Sequence, residues 1–248
     1  STAAADQTAV HTITLTGSAI TDVVVTGDAG LNLTATGSTA ITNFDASGVT
    51  TNSAAVAASA GAGGVTYTSL NVTTGATPTI KGGQGADTLT GATGTAIAET
   101  IEGGDGIDTI NGGPGVDTLS GGAGNDVFQF ETAELLGTDI IDGGDGTNDN
   151  ISVLDATNTT NVVDADFANM TNVESLTLVA GSAHTVVLGA SSLASGVATI
   201  TATGAGNNSI TVGAGHAGNL SVTSGSGDDT ITLSAYPAGN TITIAGGG

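Results

Sequence analysis

Short runs in which apolar and small polar residues alternate recur along this chain at a spacing near ten residues. TITLTG closes at Gly17, VVVTG at Gly27 and LNLTATG at Gly37. In Thr12-Ile13-Thr14-Leu15-Thr16 every second residue is apolar, the period of a strand with one buried face. The last third repeats the pattern, with Ile200, Ile210, Leu220, Ile231 and Ile242 at the centres of successive runs. Thr, Val and Ile favour strands, while Gly and Asn supply the left-handed turn positions between them. Such strands suit an antiparallel sandwich or a solenoid. The near-constant period and the self-similarity favour a parallel β-solenoid whose coils stack in register. The pattern predicts an all-β chain: solenoid over 1–80, a distinct repeat segment over 81–152, and solenoid with degenerate turns over 153–248. Two stretches break it. Ala54–Gly64 (AAVAASAGAGG) reads as a short helix or a loop, and Glu131–Gly137 (ETAELLG) has the best local helix propensity in the chain.

Composition narrows the picture. Glycine is 41 of 248 residues, more than twice the average share of about 7 %. Collagen is excluded by three prolines and the lack of a three-residue period. Disorder is disfavoured by the orderly β-branched runs. Aromatics are 2 % and tryptophan is absent, so any core is a thin layer of small aliphatic side chains. The net charge is −22 with Lys81 as the sole basic residue, which excludes nucleic acid and anionic membrane surfaces as direct partners. No run of 18 apolar residues occurs, so membrane insertion is not expected. Without cysteine there is neither a disulfide framework nor a thiolate metal site. So acidic a surface needs counter-ions, and divalent cations are the natural ones. The chain starts at Ser1 and stops in three glycines, and it reads as a fragment of a longer protein whose export signal lies elsewhere.

The chemistry concentrates in residues 82–129, which read GGQGADTLT, GATGTAIAETIE, GGDGIDTIN, GGPGVDTLS and GGAGNDVFQ. Four of the five fit GGxGxDxUx, with U a large apolar residue; the second carries a three-residue insertion. Glycines at positions one, two and four let the backbone turn tightly and aim carbonyl oxygens inward. Candidate calcium-ligating residues are Gly82, Gln84 and Asp87; Gly103, Gly104, Asp105, Gly106 and Asp108; Gly112, Gly113, Gly115 and Asp117; and Gly122, Gly124 and Asp126. Calcium takes six to eight oxygens in irregular geometry, so carbonyls plus carboxylates suit it. Leu89, Ile110, Leu119 and Phe128, at position U, are expected to point inward. Weaker relatives follow. GGDGTNDNI (Gly143–Ile151) has one residue too many before Asp149, with Asp142 and Asp145 close by. SGSGDDTIT (Ser224–Thr232) places Asp229 at position six; TGAGNNSIT (Thr203–Thr211) has Asn208 there, predicting a turn without an ion. Residues 82–150 hold 13 of the 23 acids, a clustering that metal sites predict.

The nonapeptide resembles the calcium-binding repeat of RTX proteins. The resemblance implies a right-handed parallel β-roll in which two nonapeptides make one coil and several calcium ions lie between turns two repeats apart. One edge would stack Asp87, Asp108 and Asp126. The other would stack Asp117 on the turn where Glu99, lacking the preceding glycines, takes the acid position. It further implies that Gly103, Asp105 and Asp108 face Gly122, Gly124 and Asp126 across one ion, with the Asp105 carbonyl as ligand. Coils about 4.8 Å apart bring equivalent carboxylates within roughly 5–10 Å. At 5 Å two such charges repel by about 3 kcal/mol at an effective dielectric of 20. Calcium reverses the sign, each site adding about 1.4 kcal/mol at tenfold excess over Kd.

The flanks ITNFDASGVTT (Ile41–Thr51) and MTNVESLTL (Met170–Leu178) are similar to segments of RTX-type bacterial surface-layer proteins. This resemblance implies a secreted, extracellular Gram-negative S-layer subunit, exported by type I secretion. Its partner would be itself, in a lattice or oligomer with calcium-dependent contacts, with lipopolysaccharide or another anchor bound outside this fragment. Two other readings remain: an accessory repeat module of a secreted hydrolase or toxin, and an adhesin stalk. No catalytic residues are expected. HExxH is absent, and His11, His184 and His216 are scattered singly, as surface or loop residues. Gly213–Gly218 fits GxGxxG but leads into a β pattern, so it reads as a turn and not a dinucleotide site.

Overall fold

The computed structural model describes residues 10–27, 30–35, 37–50, 64–131, 134–154, 161–179 and 183–246. The chain is an all-β parallel solenoid, and packing divides it into two compact units, Ser1–Phe128 with Ile140–Thr147, and Gln129–Asp139 with Asn148–Gly248.

In the first unit the strands in chain order are β1 (Val10–Thr14), β2 (Asp22–Gly27), β3 (Gly30–Thr34), β4 (Asn43–Val49), β5 (Val65–Thr68), β6 (Thr79–Lys81), β7 (Thr88–Thr90), β8 (Thr100–Asp105), β9 (Thr109–Asn111), β10 (Thr118–Ala123), β11 (Val127–Phe130) and β12 (Ile140–Asp145). Odd strands from β1 to β11 pair in one sheet and even strands from β2 to β12 in a second. Each coil therefore gives one strand to each sheet. The pairing is parallel, Thr109 opposite Val127 and Thr100 opposite Thr118, so one coil here is eighteen residues, two nonapeptides. The β4–β6–β8 pairing runs through residue 81 without interruption.

The inner positions form two facing columns. Leu33, Tyr67, Leu89, Ile110 and Phe128 lie in register on one sheet, and Phe44, Ile80, Ile101, Leu119 and Ile141 on the other, none more than 5 % exposed. The expected inward residues Leu89, Ile110, Leu119 and Phe128 are thus buried. Where the two columns meet, the Phe44 and Tyr67 rings stack with centroids 3.9 Å apart. Burying a side chain of this size contributes about 1.5–3 kcal/mol, and the stacked repetition of that gain takes the place of a thick core.

In the second unit β13 (Asn150–Val153), β16 (Ser175–Leu178), β18 (Thr199–Ala202), β20 (Leu220–Thr223) and β22 (Ile242–Ala245) pair in order. A further sheet holds β14 (Asn161–Val162), β17 (Thr185–Leu188), β19 (Ser209–Val212) and β21 (Thr230–Leu233); β15 is Met170–Thr171. Ile151, Leu176, Ile200 and Val222 fill one inner column, Val162, Val186 and Ile210 the other.

Two expectations change. A helix forms at α1 (Ala190–Ser195); of Glu131–Gly137, the described residues 131 and 134–137 are not helical, Glu134 N–H closing a turn on the Glu131 carbonyl and Leu136 N–H being taken by Asp139. A 3₁₀ turn, Asp164–Phe167, brings the Asp164 carboxylate onto the N–H groups of Gly189, Ser191 and Ser192 at 2.7–3.1 Å, and this capping holds the short helix. In β1 and β2 the alternation does not become burial: Ile13 is 46 % and Val24 67 % exposed, β1 and β2 each having one neighbouring strand. Ala54–Gly64 lies, apart from Gly64, outside the described residues. Among the described residues no helix is long and apolar enough to cross a membrane.

Candidate metal centre

The residue before each strand sits at a corner of the coil, and around the nonapeptides that residue is a buried acid. Asp87, Asp108 and Asp126 precede β7, β9 and β11; Glu99 and Asp117 precede β8 and β10. All five are 2 % exposed or less. Charged side chains are almost never this buried without a partner of opposite charge, and the chain's sole basic residue, Lys81, sits on the outer face against Glu102 at 2.8 Å.

Each acid is fixed by the coil beside it. Val65 N–H donates to Asp87 Oδ1 at 2.6 Å, Asp87 N–H to Asp108 Oδ1 at 2.8 Å and Asp108 N–H to Asp126 Oδ1 at 2.8 Å. On the other edge Glu99 N–H donates to Asp117 Oδ1 at 2.8 Å. The structure therefore makes both expected stacks, including the one through Glu99. The second oxygens fold back over the first glycine of their own repeats. At Gly103 the Asp108 carboxylate and the Gly121 carbonyl of the next coil converge on the space a Cβ would fill, and the Asp126 carboxylate and Gly143 carbonyl do the same at Gly121. Gly82 lies likewise beneath Asp87 and the Gly103 carbonyl, and Gly112 beneath Asp117.

In the turns between, glycines lie against carbonyls of the neighbouring coil. Gly104 lies against the Gly83 carbonyl, Gly122 against that of Gly104, Gly106 against that of Gly85, Gly113 against that of Ala92 and Gly115 against that of Ile97. Gly124 is the strictest case: its φ is +138° and a Cβ there would overlap the Gly106 carbonyl oxygen.

Burial sets the electrostatics. It pushes the Asp108 carboxyl up to about 8, with the Asp87 and Asp126 charges adding to it. Burial, then the nearby Asp117, push Glu99 to about 8. Asp87 rises to about 6, burial outweighing N–H donors from Gly83 and Val65. Asp108 Oδ2 and Glu99 Oε2 are buried with no hydrogen-bond partner. At these two oxygens an acceptor thus stands beside a carbonyl of the next coil without a donor, which fits a hard cation. Among the described residues no three His, Asp or Glu side chains gather into one group. Carbonyls must therefore complete any ligand shell, as calcium permits.

Other expected residues lie apart. Gln84 donates its amide to Asp105 Oδ2 at 3.3 Å on the exposed face, and the Asp105 carbonyl accepts Gly85 N–H at 2.7 Å. Asp142 and Asp145 are exposed on β12, whereas Asp149 is buried before β13 and gives its N–H to Glu174 Oε2 at 2.8 Å. Asp229 is half-buried and accepts Asn208 N–H at 2.8 Å. Sequence reasoning missed Asp139, 1 % exposed and standing before β12 as Asp117 stands before β10. Its signal was the Asp-Ile-Ile run leading into Gly143–Gly144, without the usual glycines ahead of it.

Of the histidines His11 is exposed, while His184 and His216 lie in loops, outside every strand and helix, but are buried there, 2 % and 0 % exposed. His216 Nδ1 lies 3.2 Å from Ser192 Oγ. This pair is closed to substrate, since Ser192 is also 0 % exposed and Asp164 faces backbone N–H groups.

Residues 79–96 and 93–128 match the family model of the RTX calcium-binding nonapeptide repeat, in four copies. No curated protein and no solved structure matches the chain. The segment is an RTX β-roll, and calcium is the ion of such repeats.

Proposed function

We propose that this chain is a structural part of an exported protein, folded by calcium outside the cell, and that it serves in a surface layer built from copies of itself. The carrying observation is Asp108: 0 % exposed, one oxygen without a partner, and facing a carbonyl of the next coil. Such an anion opposes folding at neutral pH until a cation enters. Calcium would supply positive charge between successive turns along each edge; Asp87, Asp108 and Asp126 on one edge and Asp117 and Glu99 on the other, with glycine carbonyls beside them, would hold it. Low-calcium cytosol then leaves the segment unfolded and the exterior folds it. RTX repeats are typical of secreted proteins, which agrees with folding after export.

Self-association is supported by the outer face of the even-numbered strands, where Glu102, Asp105, Asp142 and Asp145 are exposed. Two such faces repel unless divalent cations lie between them. Light scattering on the purified chain tests the reading: calcium should convert a monomer into larger assemblies, and chelation should reverse it. A chain that folds with calcium yet stays monomeric at all concentrations would remove the layer and leave a calcium-folded module.

A further inference from the structure

The corner formed by 203–208 and 224–229 repeats the geometry of Glu99 and Asp117 with one change. Glu99 N–H donates to Asp117 Oδ1 at 2.8 Å, and Asn208 N–H donates to Asp229 Oδ1 at 2.8 Å. Gly113 and Gly225 are both left-handed, at φ +75° and +85°, and each lies against a carbonyl of the neighbouring coil, as do Gly115 and Gly227. The backbone of a calcium turn is thus present.

The side chains differ in what they offer. The Glu99 carboxylate lies beside Gly91, where it meets the carbonyl of Gly112, the first residue of the next turn, and its Oε2 has no partner. Asn208 presents an amide instead. Its Nδ2 donates to the carbonyl of Ser224, again the first residue of the next turn, at 2.8 Å, and to Asp229 Oδ1 at 3.1 Å. Its Oδ1 accepts His184 N–H at 3.1 Å, extending the stack one coil further. Donors meet acceptors here, and no convergence of bare oxygens remains for an ion to relieve.

We infer that Asn208 makes this corner a metal-free copy of the calcium turn, its amide group standing where the ion stands elsewhere. The second unit then keeps its coils from 203 to 232 in the absence of calcium, while residues 82–126 depend on the ion. Residue 208 decides which kind of turn forms. This rests on the calcium-dependent folding proposed above.

Hydrogen exchange read by mass spectrometry, on the whole chain with calcium and with EGTA, tests both claims separately. In EGTA, amides of 100–126 should exchange at least about tenfold faster, while those of 209–212 and 220–223 keep their protection. Loss of protection in both segments overturns the metal-free corner and leaves calcium-driven folding standing. Unchanged protection in both overturns calcium-driven folding, and the contrast between the segments goes with it. Asn208→Asp carries the second claim. Protection of 203–232 should become calcium-dependent, and native mass spectrometry should count one more bound calcium. An Asn208→Asp chain that behaves identically with and without calcium, at unchanged ion count, shows that residue 208 only shapes the turn and overturns its assignment.

Discussion

The backbone N–H of Asp87 donates to Oδ1 of Asp108 across 2.8 Å, while the other oxygen of the same carboxylate is buried with no partner. One side chain thus serves two purposes: Oδ1 sets the register of neighbouring coils, and Oδ2 contributes negative charge to the space between them. The two can be separated by substitution. Asp108→Asn keeps an acceptor for Asp87 and removes the charge. Without calcium the variant should melt higher than the parent chain, because the buried anion is gone. With calcium at tenfold excess over Kd it should lose about 1.4 kcal/mol of the ion's stabilisation for each site abolished. Circular dichroism melts in EGTA and in calcium check both signs; equal shifts in the two conditions contradict the charge account.

Protons can take part of the ion's place. Burial raises Asp108 and Glu99 to about 8 and Asp87 to about 6, against about 4 for carboxyls in an unfolded chain. A raised folded pKa means that the folded state binds the extra proton. The stabilisation is full below about pH 4 and is lost as pH rises through 6 to 8. In EGTA the chain should therefore gain stability from pH 8 to pH 5. Saturating calcium should flatten or reverse that slope, since protons then compete with the ion. Thermal melts at the two pH values, with and without calcium, provide the measurement. A metal-free chain that weakens between pH 8 and pH 5 would contradict the buried-acid account.

Much of this was legible in the sequence because the nonapeptide is local. Asp108 and Asp126 occupy the same position of their repeats, and stacking two repeats per coil places one on the other without reference to distant residues. Leu89 and Phe128 were legible for the same reason. What escaped depends on contacts between remote positions. The helix at Ala190–Ser195 lacks a strong local signal, and its N-terminus is capped by Asp164, more than twenty residues earlier. Asp139 lacks the glycines that mark the other corner acids. His216 looks solitary in sequence, and only folding places it beside Ser192.

Stacked glycines set a separate, steric demand. Gly124→Ala puts a Cβ onto the Gly106 carbonyl in a backbone with φ +138°, whereas Gly94 has open space and no such φ. Gly124→Ala should cost several kcal/mol, at or above the roughly 1–3 kcal/mol of left-handed strain alone. Gly94→Ala should be within about 0.5 kcal/mol of the parent. Denaturant melts in excess calcium compare the pair, and similar costs for both would contradict the close stacking of the turns.

The capping of α1 separates ordinary stability from metal-linked stability. The Asp164 carboxylate accepts N–H groups from Gly189, Ser191 and Ser192, which holds its carboxyl below the usual range despite partial burial. Asp164→Ala leaves three helix N–H groups without this acceptor, and loss of such a cap costs about 0.5–2 kcal/mol. The site lies in the second unit, and the N–H groups that its carboxylate accepts belong to that same unit. The cost should therefore be the same with calcium and with EGTA, unlike that of Asp108→Asn. Exchange at residues 189–196 should rise in the variant, while exchange at 100–126 in calcium stays at the parent rate. If the Asp164→Ala cost vanished on chelation, the helix cap and the acid columns would belong to one calcium-linked unit, and the separation argued from these hydrogen bonds would fail.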